Sequence, residues 1–280
     1  MSPRLSPHRD ALLGIDSLSW RVRTPLRYLG LPREVLLQLA RPEIATAIAE
    51  HSDFESDPLA RFARTIGVVA TVRFGAPDEA AATLERLRGV HRSVCGQLLD
   101  GRPYAATDDE LQFWVLATIF DTTVTLERRY VGALSDDDRQ RLYEEQFPVF
   151  DAFEIPRTIV PSGFVEFQAW MTNQLATLEV TDAARRIGSR VVDLAGVPVN
   201  RMIRTLSHVV TADLLPSSLR EAYGLTPPAP IDWTIRQTQR VARPSLRATR
   251  RVKHHVPGHP GRALHGTLER WLLDKRAVAS

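Results

Sequence analysis

A chain of 280 residues and 31.4 kDa is about twice the modal domain size, so one large domain, or one domain with a tail, fits better than several small ones. Hydrophobic residues make up 44% and charged residues 25%, enough apolar side chains for a sizeable core, which excludes wholesale disorder. Between Arg236 and the C-terminus nine Arg and two Lys face two acids, a balance of +9, so residues 1–235 carry −6 of the overall +3 and the pI of 9.3 says nothing for nucleic-acid binding by the body.

The opening Met1 to Asp10 has no hydrophobic run of a secretory signal, and nowhere do about 18 apolar residues follow one another. The cytoplasm is the expected compartment. Gly30-Leu-Pro32 reads as a loop, followed by a helix over 33–50. Asp57-Pro58 opens the next helix, because Asp can accept orphan amide hydrogen bonds and Pro has no amide hydrogen to leave unpaired at the first helical position. After Gly75-Ala-Pro77 a helix is predicted over 77–99, and Gly101-Arg-Pro103 ends it. Thr107-Asp-Asp-Glu110 has capping-box form, with Leu111, Trp114, Val115 and Thr118 behind it at helical spacing. Ser135 with Asp136, Asp137 and Asp138 starts a helix over 136–147, its carboxylates complementing the dipole. Beyond the break at Ile155 to Pro161 come helices over 162–178 and 181–194, and beyond Gly196-Val-Pro198 others over 199–213 and 216–223. Strand signals are weak, and the expected fold is all-α, with eight to ten helices in a single domain over residues 1–225. From 226 to 280 the composition turns to Pro-rich linker and basic tail, with a short closing helix predicted from Leu264 to Lys275.

Two constellations carry chemistry. On the 77–99 helix Leu84, Leu87, His91, Val94 or Cys95, and Leu98 recur three or four apart, so His91 takes a slot where the pattern asks for Leu. A buried His is either a core residue satisfied by a carbonyl or a metal ligand, and a neutral ring nitrogen in apolar surroundings suits the proximal side of a haem iron. On the helix after Pro58, Arg61 and Thr65 share a face, with Arg64 beside Arg61. Two guanidiniums and a hydroxyl could hold a carboxylate pair or polarise oxygen; equally, they could line the solvated side of an amphipathic helix. His51 sits at a helix end, where capping is its plainest role, and His208 suits the core. The tail histidines His254, His255, His259 and His265 lack regular zinc-ligand spacing. The lone Cys95 has no disulfide partner, and no phosphate loop, nucleophile elbow or HExxH occurs.

Taken in order, these segments resemble the bacterial branch of the mpaB and rubber-oxygenase (latex clearing protein) catalytic-domain family. They are Leu36 to Ala45, His51-Ser-Asp-Phe54, Asp57 to Arg61 with Arg64-Thr65, Phe74-Gly75, Val90 to Gly96, Tyr104-Ala-Ala, Trp114 to Thr118 and Leu214 to Leu225. The likeness implies an all-α fold enclosing haem b, with His91 as proximal iron ligand and Arg61, Arg64 and Thr65 near the haem. It implies oxidative chemistry: an oxygenase or peroxygenase using O2 or peroxide on an apolar, unsaturated small molecule. Relatives often carry His where this chain has Arg41 and Leu116, which leaves room for a haem-binding carrier, sensor or partner protein without turnover. A distal acid or base is left open among Glu43, Glu50 and His51. Of partners, the tail suits weak contact with anionic surfaces, a homodimer is open, and no specific nucleic-acid binding is expected.

Overall fold

The computed structural model describes residues 10–14, 16–22, 27–54, 58–197 and 199–225, with the backbone alone at 58–60, 62 and 63. The proposed linker and tail, their closing helix and their histidines lie outside the described residues, as does Asp57.

The chain runs through α1 (Leu18–Val22), α2 (Arg27–Leu39), α3 (Pro42–His51), α4 (Pro58–Phe74) and α5 (Pro77–His91). A short hairpin of β1 (Cys95–Gln97) and β2 (Pro103–Ala105) follows. Then come α6 (Asp109–Leu126), which runs into a π turn over Glu127–Val131, α7 (Asp136–Glu144), α8 (Phe147–Ala152), α9 (Phe164–Ala176), α10 (Asp182–Val192), α11 (Arg201–Leu214) and α12 (Ser217–Ala222). The all-α expectation holds, and the short α1 and α8, with the division of the 33–50 helix into α2 and α3, take the described helices past the eight to ten expected.

Helix α6 lies at the centre because it is apolar almost all round: Phe113, Trp114, Leu116, Ala117, Ile119 and Phe120 are all buried. Helix α2 packs along it, with its Leu31, Leu36 and Leu37 buried. The two approach closely at Gly30, where an added Cβ would stand 2.6 Å from Leu126 Cδ1 and 2.8 Å from Thr122 Cγ2. Arg33, one turn further along α2, is buried and satisfied on three sides. Its Nε donates to the Leu214 carbonyl (2.9 Å), Nη1 to Thr122 Oγ1 (2.6 Å) and Nη2 to Asp121 Oδ2 (2.6 Å), which ties α2, α6 and α11 together. Behind α6, Phe120, Tyr143, Phe164 and Phe167 form an edge-to-face and tilted aromatic cluster with centroids 5.0–6.2 Å apart.

Four local expectations are corrected. The 33–50 helix is two helices, since Pro42 opens α3 and the chain turns at Ala40 and Arg41. Gly30-Leu-Pro32 lies inside α2 and is no loop, because burial of Gly30, Leu31 and Pro32 against the core outweighs the amide hydrogen bond that Pro32 cannot make. The cap of α6 is Asp108, which accepts from the Leu111 amide, and not Thr107. Most consequentially, the helix predicted over 77–99 stops at His91: Val94 and Ala106 bond across the hairpin, and Cys95 pairs with Ala105.

Candidate functional site around Arg61 and His91

Helices α4 and α5 form an antiparallel pair joined at Gly75 and Ala76, and this brings the two constellations together. Thr65 lies one turn after Arg61, so their side chains meet: Arg61 Nη1 donates to Thr65 Oγ1, and that hydroxyl donates to the Arg61 carbonyl at 3.1 Å. Arg61 is half-buried. Burial first, and the Arg64 charge second, make its protonated form less favourable than usual. Among the described residues no carboxylate pairs with Arg61 or Arg64. Two neighbouring guanidiniums with no carboxylate on them among the described residues suit an anion that offsets their repulsion.

His91 is the last residue of α5 and half-buried. Because the helix ends there, it shares no helical stripe with Val94, Cys95 or Leu98, and Cys95 is exposed. Burial, and then the Arg61 charge, lower its pKa, so the neutral ring is favoured. Among the described residues neither ring nitrogen is engaged in a hydrogen bond. The carbonyl that would satisfy a core histidine is therefore not supplied by them, and neither is the acceptor that usually orients a metal-bound imidazole.

The end of α3 completes the neighbourhood. Arg61 Nε donates to Ser52 Oγ at 3.1 Å. One and two residues back, His51 and Glu50 converge on Tyr104 of β2: its phenol donates to Glu50 Oε2, and His51 Nε2 lies 3.0 Å from the same oxygen. Burial, followed by the Glu50 hydrogen bond, pushes the Tyr104 pKa up to about 12. Gly96, opposite Tyr104 in the hairpin, makes room for the ring; a Cβ there would meet the phenol oxygen at 2.6 Å. Tyr104, Ser52 and Gly96 were not singled out for a role by sequence reading. The 53 residues separating Tyr104 from His51 leave no periodic trace.

The remaining candidates lie apart from this cluster. Glu43, in the first turn of α3, pairs with Arg102 at 3.3 Å. Arg41 donates to Gln174 and stacks its guanidinium 5.3 Å from the Trp114 ring centroid, while Leu116 is buried in the core. His208 is half-buried and meets Asp193 at 2.6 Å instead of joining the core. Past Thr65 on α4, Ile66, Val69 and Arg73 help line a small cavity of about 50 Å3 between α1, α2, α4 and α6. Its walls are mostly apolar, and His91, Arg61 and Thr65 are not among them.

A family model described as ER-bound oxygenase mpaB/B′/Rubber oxygenase, catalytic domain, matches residues 20–253. This chain belongs to that family. The family is one of oxygenase catalytic domains. The matched span runs beyond Leu225 into the stretch assigned above to linker and tail. Among curated proteins it is similar to an uncharacterized protein of Mycobacterium bovis and another of Mycobacterium tuberculosis. Each is 24% identical over 169 residues, covering 59% of this chain and 66% of the relative, just short of two thirds of its length. No solved structure matches it. No helix among the described residues is long and apolar enough to cross a membrane.

The neighbourhood fits a haem in its donor chemistry. A porphyrin brings four nitrogens of its own, so one neutral protein nitrogen suffices for the iron, and the Arg61 and Arg64 guanidiniums, on which no described carboxylate sits, suit the carboxylates at the porphyrin edge. Among the described residues no cluster of three or more His, Cys, Asp or Glu is placed to hold a bare metal ion.

Proposed function

We propose that the chain is a haem b-dependent oxygenase or peroxygenase acting on an apolar, unsaturated small molecule, with His91 as the proximal ligand. The observation that carries this reading is the half-buried, unengaged His91 ring, kept neutral beside Arg61 on a surface where Arg61 and Arg64 have no described acidic partner. Haem iron supplies the activation of O2 or peroxide when bound. The chain supplies the rest. His91 offers a lone pair without first losing a proton, which an ordinary imidazole must do below its pKa near 6.5. Arg61 and Arg64 hold the anionic groups, and Thr65 fixes the Arg61 guanidinium by its paired hydrogen bonds. The apolar wall of α4 at Ile66 and Val69, beside a small cavity, suits a substrate of the same character. The free thiol of Cys95 fits the cytoplasm as its compartment, and the basic tail gives weak, salt-sensitive contact with anionic surfaces.

Titration with hemin tests this directly. The full chain should develop one Soret band per molecule, and His91→Ala should lose it while keeping its helical circular dichroism. A chain that stays colourless with excess hemin, or a mutant that binds like the wild type, overturns the assignment.

A second reading, a haem-binding carrier without turnover, is favoured by one feature. Arg41 and Leu116, where relatives often have His, serve packing: Arg41 is held by Gln174 and Trp114, and Leu116 is buried. Oxygenated product from an alkene, lost in His91→Ala, selects the enzyme; reversible haem exchange without product selects the carrier.

A further inference from the structure

We infer that Tyr104 is a positioning residue: by donating its single proton to Glu50 it fixes His51 as the Nε2–H tautomer and leaves Nδ1 as the basic nitrogen of that ring, next to the proposed Arg61–His91 site. The argument is one of donors and acceptors. A phenol has one hydrogen to give, and the Tyr104 hydroxyl gives it to Glu50 Oε2. The carboxylate can only accept. His51 Nε2, 3.0 Å from the same phenol oxygen, must then be the donor in that contact. A neutral imidazole carries one N–H, so its lone pair stands on Nδ1, and among the described residues no hydrogen bond occupies that atom. The arrangement is held from behind. Tyr104 is buried on β2, Gly96 leaves space that no side chain could share with it, and β2 packs on α3.

The placement gives this nitrogen its use, and here the inference rests on the proposed function. Ser52, the next residue, accepts from Arg61, so His51 adjoins the anion-holding end of α4. A proton released from a substrate at that end would bond to Nδ1. The resulting imidazolium would be stabilised by the Glu50 carboxylate 4.0 Å from Nε2 and would later release the same proton from Nδ1 to water, which restores the Nε2–H tautomer.

Imidazole nitrogen NMR on the full chain without haem, at about pH 8, where an ordinary His is neutral, reads the tautomer directly. His51 is assigned among the eight histidines by its loss in His51→Gln. Wild type should show a protonated Nε2 and a bare Nδ1, and Glu50→Gln should keep this state because its amide oxygen still accepts. Glu50→Ala should reverse it, because the freed Tyr104 hydroxyl then donates to Nε2. Tyr104→Phe and Gly96→Ala, which removes or displaces the phenol, should both give a mixture. A wild-type ring protonated on Nδ1, or identical spectra from Glu50→Ala and Glu50→Gln, would overturn the latch. In turnover, Tyr104→Phe should lose about 10- to 100-fold at unchanged haem occupancy; an unchanged rate would remove the catalytic role. Because the spectra need no haem, they stand or fall separately from the hemin titration.

Discussion

At the scale of single residues, the site rests on how Arg61 is held. Among the described residues its guanidinium meets the hydroxyls of Thr65 and Ser52 and no carboxylate, whereas Arg157 sits on Asp151 and Arg185 on Asp182. The double substitution Arg61→Ala with Thr65→Ala should therefore lower turnover about 100-fold while shifting the urea midpoint little, since the lost bonds lie on a partly exposed helix face. Equal rates would return both residues to the solvated side of α4. A second titrating residue lies elsewhere. Glu34 is fully buried, and that burial raises its carboxyl from 4.5 to about 6 despite Arg27 at 3.1 Å. Folding raises this pKa, so the folded state holds the proton more tightly. The associated stability is complete below about pH 4.5 and is lost as pH rises through about 6, a change of about 2 kcal/mol. Urea unfolding of wild type and Glu34→Gln across that window should show their difference falling by that amount; a constant difference would contradict it.

At the scale of elements, the hairpin matters most. The periodicity of Leu84, Leu87, His91 and Leu98 reads as one helix because three- and four-residue spacing carries no mark of where a helix stops. The chain leaves the helix at His91 because β1 and β2 pair and Tyr104 packs over Gly96, a contact between residues whose local patterns are silent. His91 was legible in the sequence, whereas its position at a helix end was not. Helix α2 shows the converse, a Pro-containing stretch that stays helical because it is buried. Its contact with α6 makes a sharp prediction. Gly30→Ala would gain the usual helix propensity of Ala, worth about 1 kcal/mol, yet it places a methyl 2.6 Å from Leu126 and 2.8 Å from Thr122. Overpacking should win, with a net loss of about 1–2 kcal/mol in chemical denaturation. A stabilised variant would mean that α2 can slide.

At the scale of the whole molecule, Arg33 is the tie among three helices, and each of its three guanidinium nitrogens donates to a protein oxygen. Arg33→Leu should cost about 3 kcal/mol, since Asp121 and the Leu214 carbonyl lose their partner, and should lower the thermal midpoint without changing helix content. A midpoint within a degree of wild type would show that water takes over those bonds. The amino-acid sequence by itself determined the helical class, most helix starts and the pairing of Arg61 with Thr65, because caps, proline breaks and three-to-four spacing act over one or two turns of chain. It also carried the family likeness, through short motifs kept in order. Only the tertiary structure decided that His91 ends its helix, that Arg61 reaches Ser52 and lowers the His91 pKa, and that Glu50, His51 and Tyr104 share one phenol oxygen. Those contacts join residues roughly 10 to 50 positions apart, and their energy comes from burial and from hydrogen bonds formed only once α3, α4, α5 and the hairpin have packed.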